Sequence, residues 1–250
     1  MTIALETRGL EKSFGGLRVT RNLSLKVAQG ARHALIGPNG AGKTTVINLL
    51  TGVLRPNGGR ILLESQDITD LPVHKRVLRG LSRTFQINQL YADLTPLETI
   101  GLVVSERSGR GGDWWRRMGT RDDVNDEIAE NLARFHLLDV MNVPTATLPY
   151  GKQRLLEIAV AIAAKPRVLL LDEPAAGVPE GERHDILATV AALPRDVTIL
   201  LIEHDMDLVF SFADRISVLV NGALLAEGSP NEVARDAQVK AVYLGEAANA

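Results

Sequence analysis

The glycine-rich segment at residues 37–45 constrains the fold of this chain more than any other feature. It fits the pattern G-x-x-x-x-G-K-[ST], in which glycines let successive backbone N–H groups turn toward a chain of phosphates. Residues 34–36 read as a short buried strand before it, and residues 46–50 read as a helix after it. These neighbours predict a strand–loop–helix unit that binds phosphate, rather than a glycine-rich turn that fits by chance. The members of the segment are Gly37, Pro38, Asn39, Gly40, Ala41, Gly42, Lys43, Thr44 and Thr45.

Four side chains carry the chemistry that the pattern predicts. Lys43 adds a positive charge for the β- and γ-phosphates, and the Thr44 hydroxyl can bind Mg²⁺. Asp172 and Glu173 follow an apolar strand at residues 168–171, and ligands of parallel sheets bind beyond the carboxyl ends of the strands. Asp172 suits Mg²⁺ binding, directly or through water, and Glu173 suits a general base that polarises an attacking water. An acidic pair that only closes a strand is the alternative, and the phosphate loop favours the functional interpretation.

Two further polar residues give weaker signals. His204 follows a buried strand at residues 197–202, where a histidine is structural, caps a helix or contacts the γ-phosphate. Gln86 lies where the sheet pattern gives way to a helical one, and it predicts little by itself.

The composition excludes several classes of protein. A net charge of −2 argues against nucleic-acid binding that is driven by overall charge. The sequence contains no cysteine, which excludes disulfides and thiolate metal sites. No stretch approaches the roughly 18 apolar residues of a membrane span, and the N-terminus, charged from Glu6 onward, does not read as a secretory signal. If the chain works at a membrane, a partner is expected to hold it there.

Strands alternate with helices along most of the chain, which predicts an α/β core with a mostly parallel sheet. Residues 1–30 read as strands, and Asn221-Gly222 predicts a type I′ hairpin. From about residue 90 to residue 143 the apolar spacing becomes helical. One shared helical face is predicted for Ile128, Leu132, Phe135 and Leu138.

The chain resembles the ATP-binding-cassette (ABC) ATPases across nearly its whole length. The phosphate loop, Gln86, a signature segment at residues 148–152, the acids that end an apolar strand and His204 occur in the order of that family. The resemblance implies an α/β fold with a P-loop NTPase (RecA-like) core, a mostly parallel sheet, N-terminal antiparallel strands and an inserted α-helical subdomain. It divides a single domain into a core at 1–86 and 154–228, a helical subdomain at 87–153 and a C-terminal helical tail at 229–250.

The same resemblance implies roles for the motif residues, with ATP as the nucleotide and Mg²⁺ as the metal. Phe14 resembles the aromatic residue that stacks on adenine, Glu173 the catalytic glutamate and His204 the switch histidine. Gln86 resembles the glutamine that senses Mg²⁺ and the attacking water, so it joins Thr44 and Asp172 as a metal residue. The signature segment of one subunit is implied to face the ATP of another. It consists of Leu148, Pro149, Tyr150, Gly151 and Lys152.

The signature segment departs from the common form L-S-G-G-Q. Gly151 is retained at a helix start, so backbone N–H groups and the positive helix end can still face a phosphate. Pro149 has neither a hydroxyl nor an N–H group, which puts one phosphate contact in doubt. Lys152 either compensates with its charge or is a solvated lysine at the start of a helix. Pro179 stands where many members have Asp or Asn, so communication across the dimer through that side chain is not expected.

Softer features resemble the ATPases of importers for branched-chain (hydrophobic) amino acids. These are residues 83–86, the tyrosine in the signature segment, and the ending Tyr-Leu-Gly-Glu at 243–246. Importers for urea, amides or aromatic acids share these features, and the lipopolysaccharide-export ATPase, a homodimer, shares the ending. The importer interpretation implies a second ABC ATPase subunit (a non-identical paralogue or a second copy), two transmembrane permease subunits and, indirectly, an extracytoplasmic substrate-binding protein. It implies no nucleic-acid partner, and it places the chain at the cytoplasmic face of a bacterial inner membrane.

Some alternatives stay open at this point. Trp114 and Trp115, in an irregular insertion, are either a membrane-surface anchor or residues that pack within the insertion. A soluble cassette ATPase acting on DNA or the ribosome usually has zinc modules, coiled coils or two cassettes, and this sequence shows none. A regulatory subunit that binds ATP without hydrolysing it is disfavoured by the intact acids and His204, although Pro149 and Pro179 are compatible with it.

Overall fold

The computed structural model describes residues 2–84, 90–109 and 122–247, which form two compact units. The first unit comprises Met1–Arg83, Pro166–Glu173 and Leu193–Ala250, and the second comprises Thr84–Lys165 and Pro174–Ala192. Gln86, Trp114 and Trp115 lie outside the described residues. Within the described ranges, none of the helices combines the length and the apolar composition that crossing a membrane requires.

The elements follow one another in the order of an α/β protein. The strands are β1 (Ile3–Phe14), β2 (Leu17–Leu23), β3 (Lys26–Ala28), β4 (Arg32–Ile36), β5 (Gly58–Leu63), β6 (Gln66–Asp67), β7 (Leu81–Arg83), β8 (Val168–Asp172), β9 (Thr198–Ile202), β10 (Arg215–Val220) and β11 (Ala223–Gly228). The helices are α1 (Lys43–Thr51), α2 (Val73–Leu78), α3 (Pro96–Arg107), α4 (Asp122–Arg134), α5 (Tyr150–Ala163), α6 (Glu180–Ala191), α7 (Met206–Phe212), α8 (Pro230–Arg235) and α9 (Ala237–Ala247).

The first unit contains two sheets. An antiparallel sheet has the order β2-β1-β5-β6, with β3 paired to β1. The larger sheet has the order β11-β10-β4-β9-β8-β7 and is parallel except for the hairpin between β10 and β11. Strands β4, β8 and β9 are buried along their whole length. Burial on both faces explains the nearly continuous apolar sequences of β8 and β9, whereas β4 begins with two buried polar residues, Arg32 and His33. The predicted α/β fold with antiparallel N-terminal strands is confirmed.

The predicted hairpin lies between β10 and β11. Asn221 and Gly222 have φ angles of 48° and 80°, and a type I′ turn requires positive φ at both central residues. Because a side chain at Gly222 would meet the Val19 carbonyl, this position accepts no larger residue without a shift of β2.

The second unit is built from α3 to α6. Helix α3 begins with a capping box, in which the Thr95 side chain accepts from the Glu98 N–H group while the Glu98 side chain accepts from the Thr95 N–H group. Helix α5 packs against α3, α4 and α6. Arg107, at the end of α3, donates to both carboxylate oxygens of Glu127 and to the Ala163 carbonyl, which ties the end of α5 to the other helices.

The two units divide differently from the predicted boundaries. The sequence predicted that the helical part ends at residue 153, but α5 is continuous from Tyr150 to Ala163 and belongs to the second unit together with residues 174–192. A boundary inside a helix would separate residues that share one row of backbone hydrogen bonds. The C-terminal helical tail predicted at residues 229–250 contains α8 and α9, which belong to the first unit.

The predicted apolar face of α4 is correct except at its end. Ile128, Leu132 and Phe135 are buried, whereas Leu138 is 50% exposed. The helix ends at Arg134 and His136 has a φ of 54°, so the helical spacing is broken before residue 138. Leu137 is the fully buried residue instead.

Candidate active site

The phosphate loop connects β4, in the middle of the larger sheet, to α1. A side chain at Gly37 would collide with the Leu219 carbonyl of β10, which explains why this position requires glycine. The buried Lys43 side chain lies along the loop, and its Nζ donates to the carbonyls of Gly37 at 2.6 Å and Pro38 at 3.0 Å. The loop is therefore curled around the ammonium group that the sequence assigns to phosphate binding.

Helix α1 presents its positive end at this loop. Its N-cap is Gly42 with a φ of 103°, and its first turn contains no acidic side chain. The Thr44 side chain is exposed on that turn, and Thr45 is half-buried. The N-terminal backbone N–H groups and the helix dipole both favour an anion at this position.

The hairpin turn at Gly222 is hydrogen-bonded to the phosphate loop. Gly222 N–H donates to the Ala41 carbonyl at 3.0 Å, and the Gly222 carbonyl accepts from Arg21 N–H at 2.8 Å. The loop is thus linked to β2 through a turn about 180 residues away in sequence. The local sequence predicts the turn but does not indicate this contact.

Phe14 ends β1 and is 47% exposed, at the turn that leads into β2. The Nζ atom of Lys12 lies 5.1 Å from the centre of its ring, within the range of a cation–π contact. Strand β2 passes the phosphate loop at Val19, whose carbonyl lies beside Gly42. An exposed ring on this hairpin is available for stacking.

The two acids at the end of β8 have different surroundings. Asp172 is 2% exposed, and burial raises the pKa of its carboxyl group, while the hydrogen bond from Arg83 acts in the opposite direction. Glu173 is half-buried and has a φ of 49°, and its N–H group donates to the Ile202 carbonyl of β9 at 2.9 Å. A positive φ is uncommon outside glycine, and such residues often occur at functional sites. The charge of Glu173 also acts to raise the pKa of Asp172, so the two carboxyl groups lie near each other.

Arg83, at the end of β7, forms a buried ion pair with Asp172. Its Nη2 donates to Asp172 Oδ2 at 2.8 Å, and its Nη1 donates to Asn48 Oδ1 at 2.8 Å. The side chains of Arg83 and Asp172 are 10% and 1% exposed. No sequence motif predicts a function for Arg83 or Asn48, although Asn48 lies one helical turn after Thr44 and on the same face of α1.

His204 is exposed and lies beside two carboxylates. Its Nδ1 is 3.8 Å from Glu173 Oε1 and 3.7 Å from Glu203 Oε2. Glu203 is buried, and it also accepts from the His204 backbone N–H group at 3.2 Å. Asp205, rather than His204, caps α7, because its Oδ1 accepts from Asp207 N–H and Leu208 N–H.

The signature segment lies in the second unit at the start of α5. Pro149 is the N-cap residue, and no side chain of the described residues caps the helix there. The Lys152 ammonium group contacts Asp139 at 3.0 Å and 3.3 Å and also the His136 carbonyl. Lys152 is therefore an ion-paired side chain in this conformation, and its compensation for Pro149 stays a prediction.

Two further contacts surround the signature segment. The central carbon of the Arg154 guanidinium lies 5.1 Å from the centre of the Tyr150 ring. The same ring lies next to Gly177, in the loop after Asp172 and Glu173. A side chain at Gly151 would meet the Glu182 carboxylate, so a carboxylate lies close to the backbone at the start of α5. Leu148 is buried and anchors the segment.

Two family profiles match this chain. The profile of the ABC transporter family covers residues 20–176, which is more than half of the sequence. The chain belongs to the ABC transporter family. The profile described as branched-chain amino acid ATP-binding cassette transporter covers residues 223–249.

Relatives of this ABC ATPase match over nearly the whole chain. BraF of Pseudomonas aeruginosa, named a high-affinity branched-chain amino acid transport ATP-binding protein, is 42% identical over 97% of this chain and 98% of BraF. LivG of Escherichia coli K12, which carries the same description, is 40% identical over 97% of this chain and 98% of LivG.

Solved structures of ABC cassettes are similar as well. A nucleotide-free ATP-binding cassette from an ABC transporter has a TM-score of 0.81 and 30% identity, covering 97% of this chain and 99% of that chain. An ATP-binding cassette of an ABC transporter in its ADP conformation has a TM-score of 0.83 and 31% identity, covering 98% and 99%. The predicted family, fold and ATP-binding ATPase class of this protein are confirmed.

The first unit of this ABC ATPase brings most of the predicted catalytic residues together. Lys43 is near enough to Asp172 for its charge to act on that carboxyl group, and His204 lies beside Glu173. Gln86 is outside the described residues, so its predicted role stays a prediction. The residues that sequence analysis missed are Arg83, Asn48 and Glu203, and each lies within three residues or one helical turn of a recognised motif residue.

Proposed function

We propose that this ABC ATPase hydrolyses ATP to drive an importer for branched-chain or other hydrophobic amino acids. The observation that carries the ATPase assignment is the grouping of Lys43, Asp172, Glu173 and His204 at the carboxyl ends of parallel strands. The amino-acid assignment is supported by the C-terminal match at residues 223–249 and by the names of BraF and LivG.

In this proposal, ATP binds along the phosphate loop. The loop N–H groups and the positive end of α1 receive the phosphate oxygens, and Lys43 turns its ammonium group from the loop carbonyls toward the β- and γ-phosphates. The exposed ring of Phe14 stacks on the adenine, a contact worth about 1–3 kcal/mol per base in nucleic-acid systems.

The residues of the site fit Mg²⁺. Thr44 offers an exposed hydroxyl oxygen and Asp172 a carboxylate, and hard oxygen donors of this kind bind Mg²⁺ together with substrate phosphates and water. Thr44 and Asp172 would hold the metal, with Gln86 as a further predicted residue. When bound, Mg²⁺ neutralises negative charge on the β- and γ-phosphates.

Glu173 is the proposed general base. Its carboxylate accepts a proton from the water whose oxygen attacks the γ-phosphorus, and ADP leaves with the electrons of the broken P–O bond. Glu173 is half-buried, whereas Asp172 is buried and ion-paired with Arg83, so the two acids can perform different tasks. His204 lies next to Glu173 and is proposed to contact the γ-phosphate from the same edge of the sheet.

The complete unit is proposed to be a dimer with a second ABC ATPase, whose signature segment faces this ATP. Residues 148–152 of this chain would face the nucleotide of that partner. Two transmembrane permease subunits would hold the dimer at the cytoplasmic face of the inner membrane, and an extracytoplasmic binding protein would deliver the amino acid. Because specificity then lies in the permeases and the binding protein, this chain supplies energy rather than selectivity.

Replacement of the general base tests the ATPase assignment. Glu173→Gln should retain ATP binding and lower the rate of hydrolysis by about 10²–10⁴-fold, the usual range for a general base. Phosphate release by the purified dimer or assembled transporter measures the rate, and calorimetry measures binding. Glu106→Gln makes the same chemical change on an exposed residue of α3 and should leave both unchanged. Undiminished hydrolysis in Glu173→Gln contradicts the assigned role.

Purification from native membranes tests the importer assignment. Affinity-tagged protein, gently solubilised, should bring down a second ABC ATPase and two different permeases, identified by mass spectrometry. Cells without the gene should lose uptake of labelled leucine, isoleucine or valine. A homodimer with export-type membrane subunits, or uptake loss limited to urea or amides, would contradict the amino-acid assignment while leaving the ATPase assignment intact.

A further inference from the structure

Arg83 joins three parts of the candidate site through one side chain. It ends β7, donates Nη2 to Asp172 at the end of β8, and donates Nη1 to Asn48 on α1. The side chain is 10% exposed and that of Asp172 is 1% exposed. The ion pair is therefore shielded from water, unlike the surface ion pairs of this protein.

The parts that Arg83 joins carry the residues assigned to Mg²⁺. Asn48 lies four residues after Thr44, so the two side chains share one face of α1. Asp172 is the carboxylate of the pair. Gln86, the third assigned residue, follows Arg83 by three positions in the sequence.

The geometry of the contact needs an arginine. A guanidinium group is planar and rigid, and its two terminal nitrogens can donate to two acceptors in fixed directions. Here one nitrogen holds Asp172 Oδ2 and the other holds Asn48 Oδ1, both at 2.8 Å. A lysine would supply the charge but not the fixed fork, so it would keep the ion pair and lose the link to α1.

We propose that Arg83 is a positioning residue for Mg²⁺-dependent nucleotide binding. It fixes the Asp172 carboxylate through Oδ2, which would leave Oδ1 for the metal, and it holds the Thr44 face of α1 at a set distance from that carboxylate. Residues that hydrogen-bond to a metal-binding carboxylate commonly orient it and so strengthen metal binding. The inference rests on the proposed function, because it takes Asp172 and Thr44 as the Mg²⁺ residues.

The test measures metal dependence without turnover. The affinity of the full-length protein for a non-hydrolysable ATP analogue is measured by calorimetry at a series of Mg²⁺ concentrations. The same measurement is made in EDTA, without free Mg²⁺. Arg83→Met should raise the Mg²⁺ concentration at half-saturation about 10–100-fold, the range seen when a supporting residue of a metal ligand is removed. Binding in EDTA should stay unchanged, because the phosphate loop is intact.

Three further variants separate positioning from charge. Arg83→Lys should raise the Mg²⁺ midpoint less than Arg83→Met, and Asn48→Ala, which keeps the ion pair, should also raise it less. Arg167→Met is the matched control, because Arg167 precedes β8 and pairs with Glu64 on the surface, and it should have no effect. If loss of a buried counter-ion prevents Arg83→Met from folding, Arg83→Lys and Asn48→Ala decide the question.

The outcomes separate this inference from the proposed function. The positioning role is overturned if the Mg²⁺ concentration at half-saturation is unchanged or lowered in Arg83→Met, or in both Arg83→Lys and Asn48→Ala. A lowered concentration would mean that Arg83 competes with the metal. If the unaltered protein fails to bind the analogue in EDTA and in Mg²⁺, the proposed nucleotide function fails instead. A decrease in EDTA binding that equals the decrease in Mg²⁺ would indicate general damage to the site and would also overturn the inference.

Discussion

His33 should make the protein less stable as the pH falls from about 7.5 to about 5, because its imidazole is buried as the neutral form. The residue is fully buried in β4, the strand that leads into the phosphate loop. Its Nε2 and the Ser217 hydroxyl lie 2.8 Å apart, and that hydroxyl donates to Glu227 at 3.1 Å. Burial lowers the pKa of His33 from 6.5 to about 4; Glu227 acts to raise it and Arg215 to lower it.

The size of the effect follows from the two pKa values. The unfolded chain binds a proton at His33 below pH 6.5, whereas the folded protein binds it only near pH 4. Between these values the unfolded state binds more protons, so the free energy of unfolding falls as the pH falls. The full difference between the two pKa values corresponds to about 3 kcal/mol in the free energy of unfolding. Of this, about 2 kcal/mol is lost between about pH 7.5 and about pH 5.

Urea denaturation at several pH values measures this loss. The comparison is between the unaltered protein and His33→Gln, whose amide can keep a hydrogen bond to Ser217 but does not titrate in this range. The free energy of unfolding is plotted against pH for both proteins, and the difference between the two slopes separates the contribution of His33 from that of the carboxylates that titrate at lower pH. His74→Gln, at an exposed position of α2, should follow the unaltered protein. If the unaltered protein and His33→Gln lose stability in parallel, the buried neutral imidazole is not the cause.

Three more substitutions test the second unit. Pro149→Ser restores the hydroxyl of the common signature form and provides a good N-cap for α5, so ATP turnover of the assembled transporter should stay equal or rise; a large decrease in phosphate release would show that Pro149 itself shapes the segment. Gly177→Ala should lower the free energy of unfolding by about 1–2 kcal/mol, because Gly177 has a φ of 75° and the new methyl group would press on the Tyr150 ring. Gly181→Ala, where nothing lies within 4 Å, should instead raise it by about 0.5–1 kcal/mol in the same denaturation assay.

The features predicted from sequence are those that a short stretch of chain determines by itself. The phosphate loop is recognisable because the glycines set the backbone conformation and the flanking apolar residues set the strand and the helix. Strands β8 and β9 are recognisable because a strand buried on both faces must be apolar throughout. The Asn221-Gly222 turn is recognisable because asparagine and glycine accept positive φ more readily than most residues do.

The features missed from sequence are contacts between polar groups far apart in the chain. Arg83 lies 35 residues from Asn48 and 89 residues from Asp172, and no local pattern links the three. The buried position of Glu203 likewise depends on its surroundings rather than on its neighbours in sequence. The prediction that Leu138 shares the buried face of α4 was wrong, because the helical spacing of apolar residues continues past Arg134, where α4 ends.

The conformation of Lys152 bears on the proposed contact between the signature segment and a phosphate. Its ammonium group is bound by Asp139 and by the His136 carbonyl, so it would have to leave both before contacting a nucleotide. Pro149 contributes neither a hydroxyl nor an N–H group, which leaves the backbone N–H groups at the start of α5 and the helix dipole as the remaining sources of attraction. The Glu182 carboxylate near Gly151 opposes an incoming phosphate at that same position. The proposed phosphate contact of this segment therefore depends on its backbone, and the Glu182 carboxylate beside Gly151 acts against it.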